Sequence, residues 1–303
     1  MLPIHFAPLQ GFTEFAYRRA HAKIAGAIDT YYTPFIREEK GVARAKDLKD
    51  LLFDIQAKKL DTYHVVPQII FKDISEFDIL VHTLEDLGIR EIDLNLGCPY
   101  PMQTKSGRGS GLLPHPEKLE PVFLRIGELS HISFSIKMRL GLTSTDESQA
   151  LIPMLNAAPL SHVTLHPRLG IQQYKGDLLL DDFEHFASKL KHPVIFNGDI
   201  TTVEGIRAIE EKYPNLAGIM IGRGLLANPS LAFEYLTGKI EDPLPTLKKI
   251  HAEIFAFYSE HLQGGDAQVL EKIRPFWTYA LPSCKKINKA KKLSDYLKAV
   301  EEL

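Results

Sequence analysis

Cysteine is nearly absent from this chain: Cys98 and Cys284 are the only two in 303 residues. Two thiols cannot build the disulfide framework of a small secreted scaffold. The opening Met1-Leu2-Pro3-Ile4-His5-Phe6 has no basic segment leading into a long apolar run, so no secretory signal is read there. No uncharged stretch approaches the roughly 20 residues that a membrane-spanning helix needs. These absences lead us to expect a cytoplasmic protein with reduced thiols and no membrane partner. Excess charge is lacking as well. Lys and Arg number 36 against 38 Asp and Glu, a net charge of -2 with a pI of about 6.6. That excludes the global basicity of many nucleic-acid-binding domains, and any RNA-binding surface has to be a local patch. No set of His and carboxylate residues has metal-ligand spacing, so no metal is expected.

What is there is ordinary globular material, 45% hydrophobic and 24% charged, which argues against disorder. Short apolar runs recur, each followed by a helical pattern. Strands are expected at 4–7, 27–33, 65–70, 91–94, 134–138, 162–166, 194–196 and 218–221. Helices are expected at 13–25, with Thr13 as N-cap, and at 75–87, 116–129, 148–157, 181–190 and 203–213. Strands alternating with helices imply parallel pairing through crossovers. Eight such units predict an α/β fold of the TIM (β/α)8 type, which takes about 250 residues. The open doubly wound alternative lacks support, since no Gly-rich dinucleotide fingerprint follows the first strand. After Leu236 the alternation stops, Pro243 and Pro245 punctuate a connector, and the pattern becomes helical. We therefore expect a barrel domain over 1–242 and a small all-helical domain over 243–303.

In a TIM barrel the active site lies at the C-terminal ends of the strands. Residues at those ends are the candidates. Pro8, Leu9 and Gln10 follow the first strand in a turn on which a flat ring can lie. Gln68 is an amide in an apolar strand, and it needs a partner if buried. The fourth strand leads into Asn95-Leu96-Gly97-Cys98-Pro99. A lone Cys is usually a small buried hydrophobe. A thiol in a turn at a barrel mouth is instead a candidate acid or nucleophile, and the Gly-rich 105–111 beside it reads as a mobile loop that gates the site. Lys137 and His166 end neighbouring strands and suggest a shared ligand. Asn197-Gly198-Asp199 and Gly222-Arg223-Gly224 follow the last two strands, where TIM barrels commonly bind phosphate. Glycines bare the backbone N–H groups there and Arg223 adds a charged fork. Together these residues suit a planar, phosphate-tailed cofactor facing a thiol, and flavin mononucleotide (FMN) fits.

These motifs resemble the tRNA-dihydrouridine synthase family along nearly the whole chain. The resemblance rests on Ala7-Pro8-Leu9-Gln10-Gly11, Pro67-Gln68, Asn95-Leu96-Gly97-Cys98-Pro99, Lys137-Met138-Arg139, His166-Pro167-Arg168 with Gln173-Tyr174-Lys175-Gly176, Asn197-Gly198-Asp199 and Gly222-Arg223-Gly224. It implies FMN held by Pro8, Leu9, Gln10, Gln68, Lys137, His166, Asn197, Gly198, Asp199, Gly222 and Arg223. It implies hydride transfer to C6 of a uracil flipped out of the tRNA D-loop, with Cys98 giving the proton to C5 and NADPH as electron donor. Asn95, Arg139 and Arg168 would face the RNA. Two positions depart from the family pattern: Pro167, where a small residue is usual, and Pro99-Tyr100-Pro101-Met102, where many members carry an early Lys. The run Lys105-Ser106-Gly107-Arg108-Gly109 resembles the form found in members that modify the position-16 side of the D-loop.

The family's C-terminal helices help hold tRNA, and the composition here agrees. From Lys272 to Lys292 the chain carries Lys272, Arg274, Lys285, Lys286, Lys289, Lys291 and Lys292 without one Asp or Glu. Such a run is either a solvated face or a phosphate-contacting patch. Two rival readings stay open: a dihydroorotate-dehydrogenase-like flavoenzyme acting on a free pyrimidine, and a non-redox RNA-binding module. A small substrate does not need the basic helices, and a non-redox module does not need the cofactor residues. A monomer is expected.

Overall fold

The computed structural model describes residues 1–57 and 63–303. Eleven strands form one sheet: β1 (Ile4–Phe6), β2 (Thr30–Tyr32), β3 (Ile36–Glu39), β4 (Val42–Ala43), β5 (Val65–Val66), β6 (Gln68–Ile70), β7 (Glu91–Leu96), β8 (Ser133–Arg139), β9 (Leu160–His166), β10 (Val194–Asn197) and β11 (Gly218–Ile221). The order is β4-β3-β6-β7-β8-β9-β10-β11-β1-β2-β5, and every pairing is parallel except β3 with β4. Pro67 has no N–H to give a neighbour, so it divides one extended segment into β5 and β6. β2 pairs with β5 while β3 pairs with β6.

β10 and β11 read as apolar runs, as strands buried on both faces do, whereas β7 and β8 alternate, with Ile92, Leu94, Phe134 and Ile136 set between Asp93, Asn95, Ser135 and Lys137. Between them helices pack outward, including Ile74–Asp86, Pro116–Glu128, Leu180–Ala187 and Val203–Lys212. Two start with side-chain caps: Asp73 accepts from the Glu76 N–H at 3.0 Å, and Thr202 from that of Gly205 at 3.1 Å. Thr13 does not cap the first helix, which spans Phe15–Ile24. Its hydroxyl instead accepts from the Leu9 N–H at 2.8 Å and braces the turn after β1. The helix expected over 148–157 is two short ones, Asp146–Gln149 and Ile152–Ala157.

After the sheet come Pro243–His261, Gly265–Ile273, Lys285–Asn288 and Leu293–Glu301. Pro243–His261 packs along Phe15–Ile24, where the Phe257 ring meets that of Phe15 at 5.3 Å. Trp277 is fully buried and donates to the Tyr296 hydroxyl at 3.0 Å. Tyr279, by contrast, reaches across to Phe12, with ring centroids 5.1 Å apart, and lines the mouth of the sheet. Among the described residues no helix is long and apolar enough to cross a membrane.

Candidate active site

The strand C-termini converge on one cavity of about 970 Å³. This is the upper end of the range for small-molecule sites, with room for a cofactor and a base together. Pro8, Leu9 and Gln10 line it from β1, Asn95 and Cys98 from β7, Lys137 and Arg139 from β8, and His166 from β9. Asn197, Gly198 and Asp199 after β10, and Gly222 and Arg223 after β11, complete the wall.

Cys98 is clamped through its backbone. Its N–H donates to Asn95 Oδ1 at 2.8 Å, and its carbonyl accepts from the Ser110 N–H at 3.1 Å and hydroxyl at 3.0 Å. Of the Gly-rich stretch 105–111, Lys105 and Ser106 are exposed, while Gly109, Ser110 and Gly111, with Leu112 after them, are buried and support the turn. A Cβ on Gly109 would lie 2.8 Å from Cys98 Cβ and 2.7 Å from its carbonyl oxygen, so only glycine lets this segment pass behind the thiol. Arg108 anchors it to Glu76, with its Nε 2.9 Å from Oε2. Burial pushes the Cys98 thiol up, while the Tyr100 N–H, Arg139 and Lys137 only partly offset this. The thiol is therefore protonated near neutral pH, as a proton donor requires.

Lys137 is half-buried, and among the described residues no hydrogen-bond partner takes its ammonium. Burial and nearby Arg139 lower it to about 8, against the pull of Asp93 and Cys98. His166 is held well below its usual range by burial and by the surrounding Arg139, Lys137, Arg168 and Arg223. It is a neutral imidazole. Its Nε2 lies 3.4 Å from Arg168 Nη1.

Asp199 bridges two arginines. Its Oδ1 accepts from Arg168 Nη1 at 2.9 Å and from Arg223 Nη2 at 2.7 Å, and the bond from Arg168 holds the carboxyl below the usual range. Arg168, expected to face RNA, is buried behind the wall, where it also donates to the Gly176 carbonyl at 2.6 Å. Arg139 is buried too, donating to the carbonyls of Gly97 at 3.0 Å and Leu169 at 2.8 Å. Gln68 lies beneath the cavity floor, its amide engaged by Asp93 and Asn95.

The basic patch is divided. Lys272 is paired with Glu14, Arg274 donates to the Ala290 carbonyl at 3.0 Å, and Lys286 meets Glu302 at 2.9 Å. Lys285 and Lys289 are exposed, and none of the five lines the cavity. The sequence reading missed Arg37, Arg44 and Asp47, which line the cavity from β3 and beyond. It also assigned no role to Tyr174, whose ring lies 5.0 Å from the Arg223 guanidinium and 5.5 Å from that of Arg139.

A parallel α/β sheet whose strand ends gather a protonated thiol, a half-buried lysine and a neutral histidine in one cavity is the architecture of an enzyme. The dihydrouridine synthase (Dus) family model matches residues 5–303, and the chain belongs to that family of oxidoreductases. It is similar to "Probable tRNA-dihydrouridine synthase 2" of Bacillus subtilis, 26% identical over 275 residues, covering 89% of this chain and 80% of that one. It is also similar to a tRNA-dihydrouridine(16) synthase of Pseudomonas putida, 28% identical over 240 residues, covering 77% and 73%. Among solved structures, morphinone reductase in complex with tetrahydroNAD aligns with a TM-score of 0.52 at 9% identity, over 79% of this chain and 87% of that one. A variant of NCR from Zymomonas mobilis aligns at 0.53 and 13% identity, over 80% and 89%. These two likenesses bear on the fold.

Proposed function

We propose that this protein is a tRNA-dihydrouridine synthase. It is a TIM (β/α)8 barrel over 1–242 with a helical tRNA-binding domain over 243–303, acting in the cytoplasm as a monomer. It reduces the uracil C5=C6 bond of specific uridines in the tRNA D-loop, with FMN as cofactor and NADPH as electron donor. Family membership supports the reaction, and the relatives named for position 16 support that side of the D-loop as target.

The observation that carries the reading is Cys98: a protonated thiol facing the cavity, its backbone clamped from both sides by Asn95 and Ser110. Lys137, a donor without a hydrogen-bond partner in a half-buried wall, suits a polar heterocycle edge. The donor set fits FMN: Lys137 and His166 would hold the ring system, and Arg223 with the turns at Gly198 and Gly222 the phosphate. Bound there, FMN supplies hydride. The protein's own part is to bury the base, exclude water and place the Cys98 proton at C5. Burial of the thiol serves that role, because it keeps the proton on sulfur until a carbanion develops beside it.

The test is mass-spectrometric mapping of dihydrouridine in tRNA from cells lacking the protein, together with reduction of that tRNA by the purified holoenzyme. One uridine should go unmodified in the deletion strain and be reduced in vitro. A full complement of dihydrouridine in that strain, with no flavin on the purified protein, would sink the proposal.

A further inference from the structure

Beneath the cavity floor lies a carboxylate to which the chemistry just described gives no task. Asp93 is completely buried on β7 and makes no salt bridge among the described residues, although its charge is felt by Lys137. Burying a carboxylate is costly unless hydrogen bonds replace water, and an apolar side chain of similar size would avoid that cost. Its neighbours on the other face, Ile92 and Leu94, are the residues that packing selects.

The bonds around Asp93 run in one direction. Ser135 on β8 donates to Asp93 Oδ1 at 2.6 Å, and Gln68 Nε2 on β6 donates to Oδ2 at 2.6 Å. Gln68 Oε1 then accepts from Asn95 Nδ2 at 2.7 Å. Asn95 Oδ1 accepts from the backbone N–H groups of Gly97 at 3.1 Å and Cys98 at 2.8 Å. The strand register keeps these groups adjacent, with Gln68 and Ser135 both directly opposite Asp93.

We propose that Asp93 is a positioning residue that fixes the direction of the Gln68 and Asn95 carboxamides and, through them, the turn that carries Cys98. This rests on the reading of Cys98 as proton donor. Burial pushes the Asp93 carboxyl up to about 6, so above that pH it is ionised and can only accept. Gln68 must therefore turn its nitrogen to Asp93 and its oxygen to Asn95. Asn95 must turn its nitrogen to Gln68, which leaves its oxygen for the Cys98 N–H. Reversing either amide would set two donors, or two acceptors, face to face. One buried acceptor thus sets the polarity of a chain that ends at the reacting thiol.

Two substitutions separate direction from charge. Asp93→Asn keeps an acceptor for Gln68, because its own NH2 can turn to the Ser135 oxygen. Asp93→Leu keeps the volume and removes the acceptor. The first readout is iodoacetamide labelling of Cys98 in the holoenzyme between pH 7 and 9.5, followed on its own peptide by mass spectrometry. The second is single-turnover reduction of unmodified tRNA by the pre-reduced holoenzyme without oxygen, with NADPH oxidation as control. Asp93→Asn should match wild type in all three. In Asp93→Leu the loosened turn admits water and the thiol loses part of the burial that holds its proton, so labelling at pH 7.5 should rise above wild type. Its tRNA reduction should slow by about 100-fold or more, the scale of a lost proton donor, with NADPH oxidation within threefold of wild type. An unchanged labelling profile in Asp93→Leu overturns the proposal, and so does an Asp93→Asn variant as impaired as Asp93→Leu, which would mean that charge alone matters. Should Asp93→Leu not fold, Gln68→Leu cuts the same chain one link further on and faces the same labelling criterion. Labelling does not depend on RNA: a wild-type holoenzyme inert toward tRNA would sink the proposed function and leave the positioning role to be judged on the thiol.

Discussion

Lys272 Nζ lies 2.8 Å from Glu14 Oε1 and 2.5 Å from Oε2, tying the C-terminal helices to the start of the first helix of the sheet domain. The Tyr258 hydroxyl joins the same carboxylate at 2.9 Å. Burial draws Glu14 upward, but Lys272 and Tyr258 together outweigh it and hold the carboxyl below its usual range. A residue first read as part of an RNA-binding patch is thus a clasp inside the protein. Lys272→Ala should leave Glu14 without its charged partner and cost about 1 to 3 kcal/mol in urea denaturation. A loss below about 0.5 kcal/mol would return Lys272 to the ordinary surface class.

Lys285, Lys286 and Lys289 stand outside that clasp, and among the described residues only Lys286 has a side-chain partner, the exposed Glu302. Exposed pairs contribute little, so all three remain available to phosphate. Replacing them together with Ala should weaken tRNA binding and flatten its salt dependence by about 0.9 log unit of slope per lost duplex contact. Flavin reduction by NADPH should not change. Unaltered tRNA affinity and slope would reduce the patch to a solvated face.

Arg223 reaches the cavity wall with Asp199 beside it, their atoms 2.7 Å apart. Asp199 is also held by Arg168, so its charge is shared between the two arginines and the half-buried Arg223 is not fully neutralised. Arg223→Ala should lower flavin affinity by about 1.5 to 3 kcal/mol, roughly ten- to a hundredfold, if Arg223 meets the cofactor phosphate. Equilibrium dialysis of the apoprotein against FMN measures this directly, and equal affinity in the variant and wild type removes Arg223 from the phosphate site.

Much of the sheet was legible because its strands are apolar, and β11 falls on the expected 218–221. The hairpin β3–β4 was not. Ile-Arg-Glu-Glu in β3 and a two-residue β4 leave no apolar run to read. The signal was in the turn: Lys40 and Gly41 both adopt positive φ, 57° and 82°, as a two-residue hairpin turn requires. Missing the hairpin hid Arg37. In the site, Cys98, Lys137 and His166 were legible as polar residues at strand ends. Arg168 was read as facing RNA and Gln68 as meeting the cofactor, because type and position reveal that a buried polar group needs a partner but not which partner it takes. Only the fold brings Gly176 and Asp199 to Arg168, and Asp93 to Gln68.

His21 makes acid a specific weakness. It is fully buried, with Nδ1 2.9 Å from the Tyr31 hydroxyl and Nε2 3.0 Å from the Pro229 carbonyl. Burial lowers it to about 3. Between that value and the ordinary 6.5 the unfolded chain binds a proton that the folded chain refuses, so the stability held above pH 6.5 is lost as pH falls. The slope attributable to His21 approaches 1.4 kcal/mol per pH unit in that window. In His21→Gln, urea midpoints at pH 7 and pH 5 should lie closer together than in wild type. An equal spacing in both proteins would mean that His21 does not drive the acid response.

Cys98 is the residue on which the chemistry turns. Saturating a C5=C6 bond takes a hydride at one carbon and a proton at the other, and a closed site leaves water badly placed to give the proton. The clamp from Asn95 and Ser110 fixes the backbone of Cys98 without touching its sulfur. Removing the sulfur should therefore leave the cavity intact. Cys98→Ala should keep its flavin, oxidise NADPH at the wild-type rate and bind tRNA with unchanged affinity. Only the oxygen-free reoxidation of the reduced enzyme by unmodified tRNA should slow, by about 100- to 10,000-fold, the usual contribution of a positioned acid. Cys98→Ser, with a hydroxyl far less acidic than a thiol, should fall between the two. Should Cys98→Ala reoxidise within about threefold of wild type, the proton comes from elsewhere, and Lys137, half-buried in the same wall and lowered to about 8, is the next donor to replace.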